Sequence, residues 1–547
     1  MKKHFTLFAV IFLAGAALVG GLLGRRVSAD SGQTDERTEL FRRYSLVLNT
    51  IEQNAADYPG SAELIYSSVR GMLQRLDPHS SFFSPKDYKA VEEENSGRYF
   101  GLGIRIRALM PGSGRIVVIE PPAPGTPAAR VGLQAGDVIF KVNDKPIDDW
   151  DVDDVIDHLK GPKGTKVHIT VNRPGEAESL ELDVIRDEIP KLTINFAYRV
   201  RPGIGFIKIE RFSETTHREM MDALQRIGID SLDGLILDLR DNPGGYLTQA
   251  IRVSEEFLPK GAPIVSTRGR NGADEQRYAV REGGDLKIPM VILINASSAS
   301  ASEIVSAAVQ DNDRGLLVGE QSFGKGLVQS VYRLSDGSGL ALTTGRYYAP
   351  SGRCLQRPFN GSVYDYYNQR NRKAVKPDQS EVKYTLSGRK VYGSGGVQPD
   401  IVYVSRKLNR FELTLLSKDV FFKFANQAAQ GKVASVSILA NGSAAADHAR
   451  QFEVNEAVLQ EFREYLDSLK ITYTDEEFQQ NVAFSQRGIK AELFTRIYGV
   501  LDGFKIRAEG DDQIAKALEA MPEARSMLVK TKEILATIGD RKRRGGI

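Results

Sequence analysis

The stretch PMVILINASSASASEI, residues 289–304, decides the expected fold around it. Residues 290–294 form a short, continuous apolar run of the kind that buried strands show. Beyond the serines, apolar residues repeat at helical spacing over residues 304–309. The pattern therefore predicts a buried strand that turns into a helix, with Ser300 at the turn.

Ser300 allows two interpretations. With Glu303 it forms the S-x-x-E pattern of a capping box, which needs no catalysis. A helix start also offers unpaired backbone N–H groups and a positive dipole end. Such groups can hold the oxyanion that forms when a serine attacks a carbonyl. The residues alone leave both interpretations open.

A second stretch, Gly324-Lys325-Gly326, follows Ser300 by 25 residues and lies between two apolar runs. A serine hydroxyl at pH 7 needs a base, and a lysine serves only if burial lowers its pKa. Gln329 lies four residues on, on the same side of a strand, where its amide oxygen can accept from the amine. The alternative is a solvated loop lysine, as most lysines are.

A phosphate-binding loop is a competing interpretation of residues 319–325, which fit G-x-x-x-x-G-K. The next position should be Ser or Thr to hold magnesium, but here it is Gly326. A strand rather than a helix is expected to follow, so no helix N-terminus would face the phosphates. These departures disfavour nucleotide binding.

A third stretch places a predicted strand, residues 235–240, before Asp241-Asn242-Pro243-Gly244-Gly245. Such a turn presents bare backbone N–H groups that can serve as oxyanion donors. An ordinary Asn-Pro-Gly-Gly turn is the alternative, and the local sequence does not choose between them.

Five segments together resemble the C-terminal processing peptidases, also called tail-specific proteases. They run in the family's order between about residues 70 and 400: residues 238–245, 298–304, 318–329, 347–353 and 395–400. The resemblance implies a serine endopeptidase in which Ser300 is the nucleophile, Lys325 the general base and Gln329 the residue that orients the lysine. It also implies an oxyanion hole from the N–H groups of Gly245 and Ala301. A helix face by itself does not separate Ser300 from Ser302.

The same resemblance implies a multidomain α+β protein. Its parts would be a mixed α/β protease core of the crotonase/Clp-protease-like spiral type with a cap, a PDZ domain built as a small β-barrel with helices, and helical extensions at both ends. The expected divisions are residues 1–29 for export or anchoring, 30–97 for N-terminal helices, 98–187 for the PDZ domain, 188–405 for the core and 406–547 for the C-terminal extension.

The predicted PDZ domain supplies a substrate handle. In such domains an unstructured peptide adds as a strand to the sheet edge. The resemblance assigns its terminal carboxylate to the backbone N–H groups of a glycine loop, here Gly101, Leu102, Gly103 and Ile104. Expected partners are therefore unfolded proteins or exposed protein C-termini, with apolar terminal residues as the family expectation.

Composition excludes several other classes. Lys and Arg number 73 against 70 Asp and Glu, which gives no argument for nucleic acid. The single cysteine, Cys354, excludes an intrachain disulfide framework. No pair among the six histidines has metal-ligand spacing, so neither a metal nor another cofactor is expected.

The N-terminus predicts export. Lys2 and Lys3 precede an apolar run over residues 5–23, and Val27-Ser28-Ala29 suits signal peptidase. The run is also about long enough to span a bilayer, so a cleaved peptide is favoured and a retained anchor stays open. The expected location is a periplasm or cell envelope.

Other partners follow less directly from the sequence. Residues 36–75 show a helical pattern. Such helical arms mediate dimer contacts in some members of the family, so the resemblance implies a homo-oligomer, and it also admits an adaptor or lipoprotein activator. A catalytically inactive PDZ-containing peptide-binding or scaffold protein is the alternative function. The presence of Ser300, Lys325 and Gln329 argues against it.

Overall fold

The computed structural model covers most of the chain after the predicted export segment. The described residues are 31–109, 115–270, 274–281, 288–359, 362–367, 381–436 and 450–544. Residues 1–29, which carry the export prediction, lie outside them. Within these ranges no helix has the length and apolarity that a membrane crossing requires. The chain divides into two units, one ending at Asp77 and the other beginning at Pro78.

The first unit contains two helices, α1 (Ser31–Asn54) and α2 (Ser61–Gln74). The hydroxyls of Tyr44 on α1 and Ser68 on α2 are hydrogen-bonded at 2.7 Å. Several large apolar side chains of this unit are more than half exposed: Leu40, Phe41, Leu46, Val47, Met72 and Leu76. Exposed apolar side chains in this number, on two short segments, exceed the singly scattered ones that ordinary surfaces carry.

The second unit holds all the described strands. In chain order they are β1 Ser81–Phe83, β2 Arg98–Gly101, β3 Ile106–Ala108, β4 Ile116–Val118, β5 Val138–Val142, β6 Lys145–Pro146, β7 Lys166–Asn172, β8 Leu180–Ile185, β9 Asp187–Pro190, β10 Phe196–Arg201, β11 Ile204–Lys208, β12 Gly234–Asp238, β13 Pro263–Gly269, β14 Glu275–Tyr278, β15 Met290–Ile294, β16 Leu316–Gly319, β17 Leu327–Arg333, β18 Gly339–Tyr348, β19 Val382–Tyr384, β20 Lys390–Tyr392 and β21 Ile401–Val402.

Its helices alternate with these strands and then continue alone. They are α3 Pro85–Ser96, α4 Pro127–Arg130, α5 Val152–Leu159, α6 Thr216–Arg226, a 3-10 turn Ile229–Ser231, α7 Leu247–Glu255, α8 Ala301–Asp311, α9 Val363–Tyr367, α10 Arg410–Ser417, α11 Val420–Ala429, α12 Glu456–Ser468, α13 Asp475–Gln480, α14 Val482–Tyr498, α15 Val500–Ala508 and α16 Asp512–Arg544.

The central sheet has the order β10-β11-β12-β15-β16-β21. Within this sheet, each neighbouring pair from β11 through β12, β15 and β16 to β21 is parallel, and β10 is antiparallel to β11. All residues of β12 and β15 are buried, because helices cover both faces of the sheet. The carboxyl ends of β12 and β15 consequently lie at the same edge, where the loops after Asp238 and Ile294 meet.

Different parts of the chain cover the two faces of this sheet. Helices α6, α7 and α8 contribute to the cluster on one face. On the other face, α16 packs Ile514, Ala517 and Met521 against strand residues such as Phe206 and Ile236. The last helix of the C-terminal segment therefore completes the central sheet, although helices α10 to α14 build a separate cluster.

A second, antiparallel sheet has the order β1-β18-β13-β14, with β17 also paired to β18. Strand β1 joins it early in the chain, since Ser81 pairs with Ala341. Strand β17 begins directly after the Gly324-Lys325-Gly326 segment. This sheet therefore brings the segment around residue 80 to the lysine.

The third sheet, β3-β4-β5-β7-β8, is completed by α5 and lies where the PDZ domain was predicted. Strand β2, which precedes this sheet in the chain, pairs with β9, which follows it, and Arg98 lies opposite Pro190. Among the described residues, strand β3 pairs only with β4, and none of them pairs with its other edge. The prediction of a multidomain α+β fold is confirmed.

Candidate active site

Ser300 lies between β15 and α8, at the predicted strand-to-helix turn. Its backbone has φ 54° and ψ −112°, a conformation that residues with a Cβ rarely adopt. Such strain persists only where the surroundings enforce it, and it is concentrated at functional sites. The side chain is half-buried.

The two neighbouring serines are engaged elsewhere. Ser298 Oγ donates to the carbonyl of Leu239 at 2.8 Å, and Ser302 Oγ donates to that of Asn242 at 3.0 Å. Both side chains are fully buried. Both serines thus bind the start of α8 to the loop after β12. These contacts distinguish them from Ser300, which the helical spacing does not.

The carboxylate of Glu303 joins the serine and lysine segments. Its Oε2 accepts hydrogen bonds from the backbone N–H groups of Ser300 and Lys325, both at 2.8 Å. Its Oε1 accepts from Gly324 N–H at 2.7 Å and from Ser322 Oγ at 2.5 Å. The capping pattern is thus used, and the same oxygen that caps Ser300 also holds Lys325 beside it.

Glu303 is completely buried. Burial raises the pKa of its carboxyl, and the four donated hydrogen bonds act against that rise. Because every contact is a donor, the acceptor-only carboxylate is the form that satisfies all of them. Sequence reasoning identified Glu303 only as a cap, since its second set of partners lies about 20 residues away.

Lys325 contacts the residue predicted to orient it. Its Nζ donates to Gln329 Oε1 at 2.7 Å, and Gln329 Nε2 donates to the carbonyl of His79 at 2.7 Å. A Cβ at Gly326 would lie 2.4 Å from the backbone nitrogen of Gln356, which explains that glycine. Because β17 follows, no helix N-terminus is present to make this loop a phosphate site.

The Asp241–Gly245 turn packs against the Ser300 loop. Buried Asn242 donates from Nδ2 to Ile209 O at 2.8 Å, and its carbonyl accepts from Ala299 N–H at 3.0 Å. A Cβ at Gly244 would lie 2.8 Å from the Cβ of Ser300, so only glycine permits this approach. The turn and the helix start therefore share one edge of the site.

Two backbone N–H groups at this edge differ from their neighbours. Gly244 N–H donates to Asn242 Oδ1 and Tyr246 N–H to the carbonyl of Phe212, both at 2.8 Å. Within the described ranges, the N–H groups of Gly245 and Ala301 donate to no acceptor. Ala301 is the first residue of α8, where an N–H is expected to point out of the helix.

An ion-pair network below the turn was not anticipated from the sequence. Buried Asp238 pairs with Arg240 at 2.7 Å, and Arg240 also contacts Asp511 at 2.9 Å. Burial by itself raises the pKa of Asp238, but the charges of Arg240 and Lys208 hold that pKa below its ordinary value. The two ends of this network are separated by about 270 residues, so no local pattern predicts it.

The predicted peptide-binding loop lies at one end of a cavity of about 440 Å³ between β3 and α5. Its apolar lining includes Ile104, Ile106, Ile156 and Leu159. The loop itself is fixed from outside the cavity, where the carbonyl of Leu102 accepts from Ala128 N–H at 3.0 Å.

The backbone donors of this loop face no partner in the chain. In the part of the chain that the structure describes, the N–H groups of Leu102, Gly103 and Ile104 donate to no other group.

The described His, Cys, Asp and Glu side chains form no group of three that could hold a metal ion.

Comparison with known families gives two matches. The model described as "Peptidase family S41" matches residues 203–368, which contain Ser300 and Lys325. The model described as "PDZ domain" matches residues 118–173, which run from the last residue of β4 to the end of β7.

Individual relatives extend the match to longer parts of the chain. The carboxy-terminal-processing protease of Bartonella bacilliformis is 36% identical over 353 residues, which cover 63% of this chain and 80% of the relative. The carboxy-terminal processing protease CtpA of Bacillus subtilis is 31% identical, covering 75% and 85% respectively. The solved structure of a photosystem II D1 C-terminal processing protease is 27% identical with a TM-score of 0.34, covering 65% of this chain and 86% of that one.

Proposed function

The chain belongs to the carboxy-terminal processing proteases of peptidase family S41, and we propose that this serine-type peptidase works through a Ser300–Lys325 dyad. The observation that carries the proposal is the shared carboxylate. Glu303 Oε2 accepts from the N–H groups of both residues, so the two backbones lie side by side at the carboxyl edge of the central sheet. Ser300 is also the strained serine of its segment.

The proposed reaction uses Lys325 as the only proton carrier. Neutral Lys325 removes the proton as Ser300 Oγ attacks the scissile carbonyl. The protonated lysine then supplies a proton to the leaving amine, so the first half-reaction returns the lysine to its neutral form. Water next attacks the acyl-enzyme, with Lys325 again as base, and Ser300 is regenerated.

The oxyanion hole is proposed to be the pair of N–H groups at Gly245 and Ala301. Ala301 follows Ser300 in the chain, and Gly245 follows Gly244, which packs against Ser300. Neither N–H has an acceptor among the described residues. Donors that are fixed before the reaction stabilise developing negative charge without reorganisation. Gln329 is proposed to hold the amine of Lys325, which it contacts at 2.7 Å.

The substrates are proposed to be exported proteins captured by their C-terminal tails. The open edge of β3 offers main-chain pairing, and the apolar groove offers a place for side chains. The N–H groups of Leu102, Gly103 and Ile104, which have no acceptor in the described ranges, suit a terminal carboxylate. Gly101, the last residue of β2, begins this loop.

Export and location are proposed from residues 2–29. Two lysines, an apolar run and small residues before Asp30 favour a cleaved signal and a periplasmic or envelope-associated enzyme. N-terminal sequencing of the protein from envelope fractions should find a chain that begins near Asp30. A chain that begins at Met1 in the membrane fraction would favour the anchor instead.

Self-association is proposed through the exposed apolar residues of α1 and α2. The double change Phe41→Ser with Leu46→Ser should then lower the mass measured by sedimentation. An adaptor or lipoprotein activator would show itself as faster cleavage when envelope lipoproteins are added.

The central test is cleavage of an unfolded protein with a free apolar C-terminus. The wild-type chain should consume it, and Ser300→Ala should not. Equal consumption by both would contradict the assignment of Ser300. Binding of the tail by both without cleavage would instead favour a peptide-binding protein that has lost catalysis.

A further inference from the structure

A closed circuit of hydrogen bonds surrounds Lys325. It runs from Lys325 Nζ to Gln329, from Gln329 to the carbonyl of His79, and from the His79 ring to Tyr366, with Nε2 2.9 Å from the Tyr366 hydroxyl. Gln356 then connects Tyr366 back to Gly326, the residue after the lysine. The side chain of Lys325 and the backbone of its neighbour are thus held by the same set of groups.

The circuit determines which end of the Gln329 amide faces the lysine. A backbone carbonyl can only accept, so the carbonyl of His79 must bind the NH₂ end of Gln329. The oxygen is thereby turned toward Lys325 Nζ. The contact fixes one hydrogen-bond direction of the amine, and with it the position of Nζ.

The tautomer of His79 follows from the same reasoning. Gln356 Oε1 accepts from Gly326 N–H at 2.9 Å, so its NH₂ donates to the Tyr366 hydroxyl at 3.0 Å. Tyr366 is then left to donate to Nε2 of His79.

On the other side of the ring, the Tyr367 hydroxyl donates to the carbonyl of Pro78 at 2.7 Å and lies 3.1 Å from Nδ1. This arrangement satisfies a neutral ring with its proton on Nδ1. In that tautomer each of the two hydroxyls donates one of these hydrogen bonds and accepts another, and each ring nitrogen faces a hydroxyl of complementary role.

Packing reinforces the circuit. His79 and Tyr366 are buried, with 7% and 0% of their surfaces exposed. Their rings meet edge to face with centroids 5.2 Å apart, and Arg357 lies 3.9 Å over the Tyr366 ring. Helix α9 therefore clamps the His79 segment against β17, which carries Gln329.

We infer that His79 and Tyr366 are positioning residues that hold Gln329, and through it Lys325, in the geometry for proton transfer. This inference rests on the proposed dyad. The active lysine would then depend on a helix about 40 residues after it and on a segment about 250 residues before it. Neither group touches the substrate in this scheme; each acts through Gln329.

The test is Tyr366→Phe, which removes one hydroxyl and keeps the ring that fills the space. We expect kcat to fall on the order of 10-fold with KM unchanged, because a small displacement of a reacting group is costly. The pH of half-maximal kcat should also rise, since a less restrained amine is rehydrated and hydration favours its charged form. A purely structural role would move the melting temperature and leave this pH unchanged.

Tyr364→Phe is the matched control, because Tyr364 lies on the same helix but is 74% exposed. It should retain wild-type kcat, KM and pH profile. Should Tyr366→Phe fail to fold, Tyr367→Phe provides the second test. Tyr367 is about half exposed, and its loss should lower kcat by a few-fold.

Two results separate failure of this inference from failure of the proposed dyad. Wild-type kcat in folded Tyr366→Phe, together with an inactive Lys325→Ala, would overturn the positioning role and keep the dyad. Wild-type activity in Lys325→Ala would overturn both.

Discussion

The candidate active site and the PDZ groove both rely on backbone N–H groups, but they treat them differently. At the active site, buried Glu303 receives four hydrogen bonds and fixes the backbones of Ser300 and Lys325. In the groove, three consecutive N–H groups from Leu102 to Ile104 and the edge of β3 have no partner among the described residues.

This difference follows from what each region has to do. Catalysis needs reacting groups held within a fraction of an ångström, so each is over-determined by several contacts. Capture of varied tails needs main-chain donors that remain available until a peptide arrives. Changes in the first region should therefore lower kcat, and changes in the second should mainly raise KM.

Lys325→Ala should give the largest difference between the effect on kcat and the effect on tail-peptide binding. Loss of the base should lower kcat by about 10⁴-fold, as for other single members of a catalytic group. Binding of a tail peptide, followed by fluorescence anisotropy, should be unchanged because the groove is untouched. Lys145→Ala, at an exposed position on β6, is the control and should retain full turnover. Normal turnover in Lys325→Ala would show that the candidate active site is not the catalytic region, and the contrast with the groove would then be wrong.

Glu303→Gln should give the next largest effect. Its new NH₂ group would face backbone or hydroxyl donors, leaving buried donors without acceptors. We expect the free energy of unfolding to fall by about 2–5 kcal/mol and kcat by about 100-fold, measured by urea unfolding and peptidase assay. Tail-peptide affinity should stay at the wild-type value. A variant with normal kcat would show that the shared carboxylate does not position the dyad.

Asp238→Asn tests the support below the active-site turn. Removing one partner of a buried ion pair should lower the free energy of unfolding by about 3–5 kcal/mol. The folded-state pKa of Asp238 is depressed, so its stabilisation is present above about pH 3.9 and is lost as pH falls through the folded value. Urea unfolding at pH 7 and near pH 3 should therefore show a smaller difference between wild type and variant at low pH. An equal difference at both would contradict this assignment.

Ile106→Pro should give the smallest of these effects, and in the groove alone. Arg105 O and Leu109 N–H bond to the residues that flank β4, so alternation directs the Ile106 N–H toward the open edge. Proline removes that donor and is tolerated on an edge strand. We expect KM and the tail-peptide Kd to rise about 10-fold, the equivalent of roughly 1.4 kcal/mol, with kcat unchanged. Ile106→Val retains the donor and should behave as wild type, whereas a lowered kcat in Ile106→Pro would indicate that the groove also controls the reaction.

Local patterns predicted much of the site because strand and helix periodicities are short-range. The turn at Ser300, the strand after Gly326 and the contact of Lys325 with Gln329 all involve residues a few positions apart. The choice between Ser300 and Ser302 was beyond such patterns. It depends on Ser302 donating to Asn242, a residue of a different loop.

The sequence by itself determined the strand-to-helix turn at Ser300, the strand after Gly326 and the resemblance that led to the family, because these depend on residue type and spacing along the chain. Only the tertiary structure decided that Glu303 serves two segments, that α16 completes the central sheet and that His79 meets Gln329. Each of these contacts joins segments that are distant in the chain. Hydrogen-bond partners at such separations are selected by the packing of whole sheets and helices, which no short stretch encodes.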